Sequence, residues 1–241
     1  MLYFRNKKLS KVRQFAFLLF LDNTNTTKPE VESKKLLNLR NALKNIDIVI
    51  ILIQNFILFF IVSQADLVIN MVTVINFQWS LTRLSIVTII AMVTSVILMT
   101  VMEKKLKCGI NTYFLFVCSL IESWVLLIFL LIPTNIMVTN IFQQTSVIFL
   151  ALLFNIMLGY SVCAWSLMLL FFVVPEHSRS FVSGIRHGVM KFSNMIGYLL
   201  AAFAYSHSVF LYPALICCCF SLTVYLLVRR TTFFTKYNVH E

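Results

Sequence analysis

Apolar side chains along this chain gather into long runs broken by short polar segments. Six of these runs, 46–65, 84–102, 112–132, 146–173, 189–206 and 209–228, reach or approach the roughly 20 residues a helix needs to cross the hydrocarbon layer. The pattern predicts an all-α, polytopic membrane helix bundle with six transmembrane helices. Little more than Ser206, His207 and Ser208 separates the last two runs, so a tight helical hairpin is expected there.

The polar segments carry charge alternately. Lys and Arg are retained on the cytoplasmic side of a membrane, and 19 of the 20 such residues fall in segments that the six spans place on one side. Arg83 is the exception, and 133–145 carries no charge. Both termini are therefore expected to be cytoplasmic. The chain divides into a basic N-terminal segment (1–45), a six-helix transmembrane bundle (46–228) and a cytoplasmic tail (229–241). Asn25-Thr26-Thr27 is a glycosylation sequon, which this topology leaves silent.

Composition agrees. With 60% hydrophobic and 12% charged residues, and a mean hydropathy of +0.89, there are too few polar side chains to cover a water-soluble core, so the principal partner is the lipid bilayer. The formal charge of +11 follows from the topology, and no aromatic-interleaved basic platform for nucleic acid is present. Five of the six cysteines, Cys118, Cys163, Cys217, Cys218 and Cys219, lie in apolar runs without CxxC spacing and read as packing residues. The basic N-terminus with its short apolar stretch Phe15 to Leu21 lacks a small-residue cleavage site and does not read as a signal peptide. His177, His187, His207 and His240 have no partners at ligand spacing, so neither metal nor cofactor is expected. No nucleophile–base pair, phosphate loop or paired catalytic carboxylates appear, and the chain does not read as an enzyme.

Small residues four apart mark faces where membrane helices approach closely. Gly184 and Gly188 have this spacing, as do Ser193, Gly197 and Ala201, which predicts tight packing along the fifth helix.

The fourth run ends in Pro175-x-x-x-Arg179, followed by "GIRHG" through "NMIG" and a last helix with a basic tail. This arrangement resembles helices ten to twelve of the major facilitator superfamily. A second match lies between the second and third runs, where "MTVMEKKLKC" is similar to the family's charged loop through Glu103, Lys104 and Lys107, with Met99, Leu106 and Cys108 departing from it. The resemblance covers about 46–236 and implies the C-terminal six-helix half of a twelve-helix transporter. Residues 1–45 then resemble the central cytoplasmic loop, with an amphipathic stretch at 34–45. It also implies that Glu103, Lys104, Lys107, Pro175 and Arg179 act as a conformational latch or gate. Because the cavity lies between two related halves, the chain is expected either to be a truncated product or to pair with a second six-helix half or a homodimer partner. Its cargo is then a small solute, with or without a coupling ion, moved by alternating access across the plasma membrane or an endolysosomal membrane.

Polar residues inside spans are costly and mark solute paths. Glu122 stands at the centre of the third run, as a proton-coupling group or as a carboxyl bonded to a neighbouring helix. Gln54 and Asn55 lie midway through the first. Asn155 is on a small-residue face of the fourth with Ala151, Gly159 and Cys163. For all three amides the alternative is simple interhelical hydrogen bonding. Asp66 and Arg83, at the outer ends of a connected pair, read as an external gate or as solvated helix-end charges. The alternative to transport is a non-transporting six-span assembly or regulatory subunit.

Overall fold

The computed structural model of the chain describes residues 45–106, 112–135, 140–175 and 178–237, all within one compact unit, Asn41–Glu241. The basic segment 1–44, Lys107 and the final residues 238–241 lie outside the described residues. Those described are helical, with no strand among them: α1 (Ile46–Met71), α2 (Leu81–Leu106), α3 (Thr112–Asn135), α4 (Ile141–Val173), α5 (Arg179–Ser206) and α6 (Ser208–Tyr237).

Local chemistry sets the boundaries. Asn45 and Asn140 cap α1 and α4 with side-chain oxygens that accept from the backbone N–H of Asp47 (3.2 Å) and Phe142 (2.9 Å). At the far end of α4, the ring of Pro175 excludes the helical region for Val174, which is extended (φ −100°, ψ 128°) and stops the helix. The Ser178 N–H then donates to Pro175 O (3.0 Å), and α5 begins one residue later. After α1 the chain makes a π-helical turn, Val72–Asn76. It reverses through Gln78, a non-glycine residue at φ 50°, with the Trp79 N–H donating to Thr73 O at 2.9 Å.

Several boundaries differ from the sequence expectation: the fourth helix starts at Ile141, the sixth runs on to Tyr237 in the expected tail, and two others differ more. The first helix does not stop before Asp66 but runs ten residues beyond it, through the π-helical turn to Asn76. The fifth begins ten residues before 189, so the stretch holding Gly184, Arg186 and Gly188 is helix rather than turn.

Five helices are long and apolar enough to cross a membrane: Ile46–Asn76, Leu81–Met102, Tyr113–Asn135, Ile141–Val173 and Ser208–Arg229. They mark the chain as an integral membrane protein. The least apolar helix, α5, is not one of the five. On α2, Ile89, Val93, Val96 and Ile97 are each more than half exposed, a face suited to lipid. Hydroxyls on that helix stay satisfied by bonding one turn back, Thr94 to Ile90 O (2.8 Å) and Thr100 to Val96 O (2.7 Å).

Packing centres on α1, which lies against α5, α4 and α3; α3 also packs on α4 and α6, and α2 on α4. Leu58, Ile61, Ala65, Val68, Leu120, Leu126, Ile148 and Leu158 are wholly buried in this core. The expected tight hairpin between the last two helices does not form. Although only His207 separates them, α5 turns its small residues to α1 while α6 packs on α3, with Trp124 and Phe220 rings 5.3 Å apart and the Tyr113 hydroxyl donating to Leu226 O at 2.6 Å.

Gly197 is the point of closest approach between α1 and α5. A Cβ there would lie 2.0 Å from Ser63 Oγ and 2.9 Å from Phe60 O. One turn earlier, the Ser193 hydroxyl donates to Phe56 O. Gly184 and Gly188 correct the packing expectation: both are exposed, with nothing within 4 Å of an added Cβ. They lie nine and five residues before Ser193, and at about 100° per residue that rotates them to the far side of the helix.

These environments make opposite demands. Gly197→Ala should cost about 1–3 kcal/mol through overpacking and lower the melting temperature in detergent by several degrees. Gly188→Ala should leave it unchanged or raise it slightly, since alanine is the better helix former by roughly 0.5–1 kcal/mol. Parallel melts of the purified variants check the pair, and equal losses would contradict the assigned helix rotation.

Candidate functional site

On α1, Asn55 and Asp66 are eleven residues apart, close to three full turns, and so share one face. That face looks toward α4 and α5, which each pack on α1 but touch one another at few points. The result is a seam walled by α4 and α5 and floored by α1. Its walls hold buried polar groups of all three helices.

At one level of the seam, Asp66 accepts from the amide of Asn155 on α4, with Tyr198 of α5 close by. Asn155 is 3% exposed, and its Oδ1 has no partner. Asn55, fully buried, donates to Ile51 O (2.8 Å), and its Oδ1 is likewise unpartnered. At a second level, Arg186 of α5 is 3% exposed. Its Nη1 donates to Ser166 Oγ (3.1 Å) and to Cys163 O (3.4 Å), both on α4.

The other polar candidates sit elsewhere. Gln54 turns away from the seam toward α3, where its Nε2 donates to Phe116 O (2.9 Å) and Ser119 Oγ (3.1 Å). Glu122 lies between α3 and α4 beside Ser161, with Oε2 unpartnered. Glu103 and Lys104 fall in the last turn of α2, and Lys107 is outside the described residues.

Arg179 folds back over the end of α4: its Nε donates to Val174 O (3.3 Å) and its guanidinium stands 5.7 Å from the Phe171 ring centre. The Pro175–Arg179 spacing thus builds a turn whose cation covers the carboxyl end of the preceding helix, a favourable place for positive charge.

Asp66 and Arg83 are held by separate partners. Asp66 sits ten residues inside the outer end of its helical segment, while Arg83 stacks on Trp79 (4.0 Å to the ring centre) and donates to Thr145 Oγ1 at 2.6 Å. Arg186 also departs from expectation, being two turns inside α5 and buried rather than a loop cation.

At the opposite end from Trp79, Arg229 Nη2 of α6 pairs with Asp47 Oδ1 at 3.0 Å. Asp47 is 5% exposed, and Arg229 Nη1 donates to the Tyr225 hydroxyl at 2.7 Å. Leu169 of α4 lines the same crevice, so this pair closes the end of the bundle where α1 begins and α4 ends.

Sequence reasoning missed Asp47, Tyr198, Ser166 and the burial of Arg186. One signal was present: Arg186 lies seven residues before Ser193, on the same helical stripe as Gly197 and Ala201. Comparison with models of known families, with curated proteins and with solved structures gives no match.

Removing one partner of a buried ion pair leaves an uncompensated charge. With Arg229 still 22% exposed, Asp47→Ala should cost about 1–3 kcal/mol, with the Asp47→Ala/Arg229→Ala double variant losing less than the sum of the two single losses. A double-mutant cycle of melting curves measures this coupling, and strict additivity would remove the pair from the account.

Proposed function

We propose that the chain is a six-span half of a secondary transporter of the major facilitator type, moving a small solute by alternating access together with a second six-helix half or a second copy of itself. The observation that carries this reading is the seam. Asn55, Asp66, Asn155 and Arg186 gather along a single α1–α4–α5 face, which holds an aspartate and the one buried arginine among the described residues together with two amides whose oxygens have no partner, and polar groups concentrated this way in membrane helices mark solute paths.

The outward face of α5 supports it. His187 and Lys191 are exposed there, with Lys191 twelve residues into the helix, roughly 18 Å along its axis. A cation at that depth calls for water or a partner rather than lipid tails. In this reading α5 is the sixth span, carried across by its packing on α1, and both termini are cytoplasmic. Arg179 and Pro175 form the hinge between α4 and α5, and Glu103 and Lys104 in the last turn of α2, with Lys107 next in sequence, take the part of the family's charged loop, as the family resemblance implies.

Solute uptake into vesicles holding the purified chain, alongside its detergent-corrected mass, tests the proposal. Saturable uptake by a dimer, or by the chain supplied with a second half, is the expected result. A folded monomer or dimer inert to a broad solute panel, also when supplied with a second half, favours the non-transporting assembly or regulatory subunit instead. The Arg179 to Val174 bond is a charged hydrogen bond worth about 1.5 kcal/mol, so Arg179→Ala should slow flux roughly tenfold at normal expression. Unchanged flux in that variant removes the hinge role.

A further inference from the structure

We infer that the α4–α5 seam binds an oxyanion at Arg186, so that the solute carries a carboxylate or phosphate group. The word solute rests on the transporter reading above; the binding site does not.

Every other cation whose side chain is described has a visible way of managing its charge. Arg229 meets Asp47 at 3.0 Å, Arg83 lies over Trp79 and bonds Thr145, Arg179 covers the carbonyl end of α4, and Lys191 is exposed. Of the carboxylates, Asp47 meets Arg229 and Asp66 accepts from Asn155, while Glu122 lies beside Ser161, away from the seam, with its Oε2 unpartnered. Among the described residues Arg186 alone is a buried cation with no carboxylate beside it. Its contacts are a hydroxyl and a carbonyl, and its Nε has no partner. Burying a guanidinium on two neutral acceptors is costly, because the desolvation penalty is met only by a well-placed opposite charge.

The direction of the side chain argues against a structural cation drawn in from the membrane surface. Arg186 is seven residues from the start of α5, about 10 Å along its axis, and snorkelling would return its head toward Arg179. Instead the guanidinium bonds Ser166 and Cys163, which lie seven and ten residues back from the end of α4, about 10–15 Å inside. The head therefore sits at or below the level of its own Cα.

Its orientation is also prepared. The Ser166 hydroxyl donates to Val162 O, leaving its lone pairs to receive Nη1. That fixes the Nη1 side of the guanidinium and leaves the Nε side, half of the Nε/Nη2 fork that matches two oxygens of a carboxylate or phosphate. Ser166 is thus a positioning residue and Arg186 the binding group. A cationic solute would be repelled at this point of the seam, and a neutral one would leave the charge uncompensated.

Thermal unfolding of the purified full chain in uncharged detergent tests the site. Sodium phosphate, acetate and citrate are compared with sodium chloride at equal ionic strength and pH, for the wild type, R186Q and R186K. At about a hundredfold excess over Kd, one oxyanion should raise the wild-type melting temperature by roughly 5 °C, whereas chloride does not. Phosphate or carboxylate as the effective ion identifies the head group. R186Q should not respond. R186K keeps the charge without the fork, serves where R186Q fails to fold, and should need at least about tenfold more ligand for the same shift. No wild-type shift with any oxyanion, or a shift as large at the same concentration in the folded variants, overturns the site. Saturable uptake of neutral solutes alone, without an oxyanion shift, would overturn this inference and leave the transporter reading standing. An oxyanion shift lost in R186Q, with no uptake of any solute, would uphold the site and overturn the reading it was joined to.

Discussion

The bundle depends on the close approach of α1 and α5. Gly197 lets the α5 backbone come down onto Phe60 O and Ser63, and Ser193 bonds the Phe56 carbonyl one turn away. Lipid supplies no hydrophobic force between helices, so association must come from close packing and interhelical hydrogen bonds. The Ser193–Gly197–Ala201 stripe supplies both. It holds in place the one helix not apolar enough to qualify as a span by itself.

From that contact follows the placement of the polar groups. With α5 turned to α1 and away from α6, its neighbour in sequence, Arg186 and Tyr198 are carried to the edge where α4 also meets α1. Asp66 and Asn155 lie on the same edge. Had α5 and α6 packed as a simple hairpin, those groups would have no common line. The end of the bundle where α1 begins and α4 ends is closed by the Asp47–Arg229 pair, which joins α1 to α6.

Helix type and most spans were legible in the sequence because both follow from run length and composition, which need no knowledge of neighbours. Gly197 was legible too, since four-residue spacing with Ser193 and Ala201 defines a face whatever that face meets. The same rule misplaced Gly184 and Gly188, because it counts spacing within a pair but not the phase of that pair against the packed stripe. Asp66 was read as a span end because a charge interrupts a hydropathy window, whereas in the fold its partner Asn155 and its neighbour Tyr198 come from helices remote in sequence. Asp47, like Arg186, looked like an ordinary charge at a polar border. Its burial depends on which helix ends meet, and no local pattern reports that.

In the proposed reading α5, though polar on its outer face, crosses the membrane on the strength of its packing with α1. The direct measurement is the sidedness of single cysteines placed at Ser180 and Ser206, near its two ends, in a background with the native cysteines replaced, using a membrane-impermeant thiol reagent on oriented vesicles. The account predicts labelling of the two positions from opposite faces. Labelling of both from the same face would contradict it, leaving five spans and α5 lying along one surface.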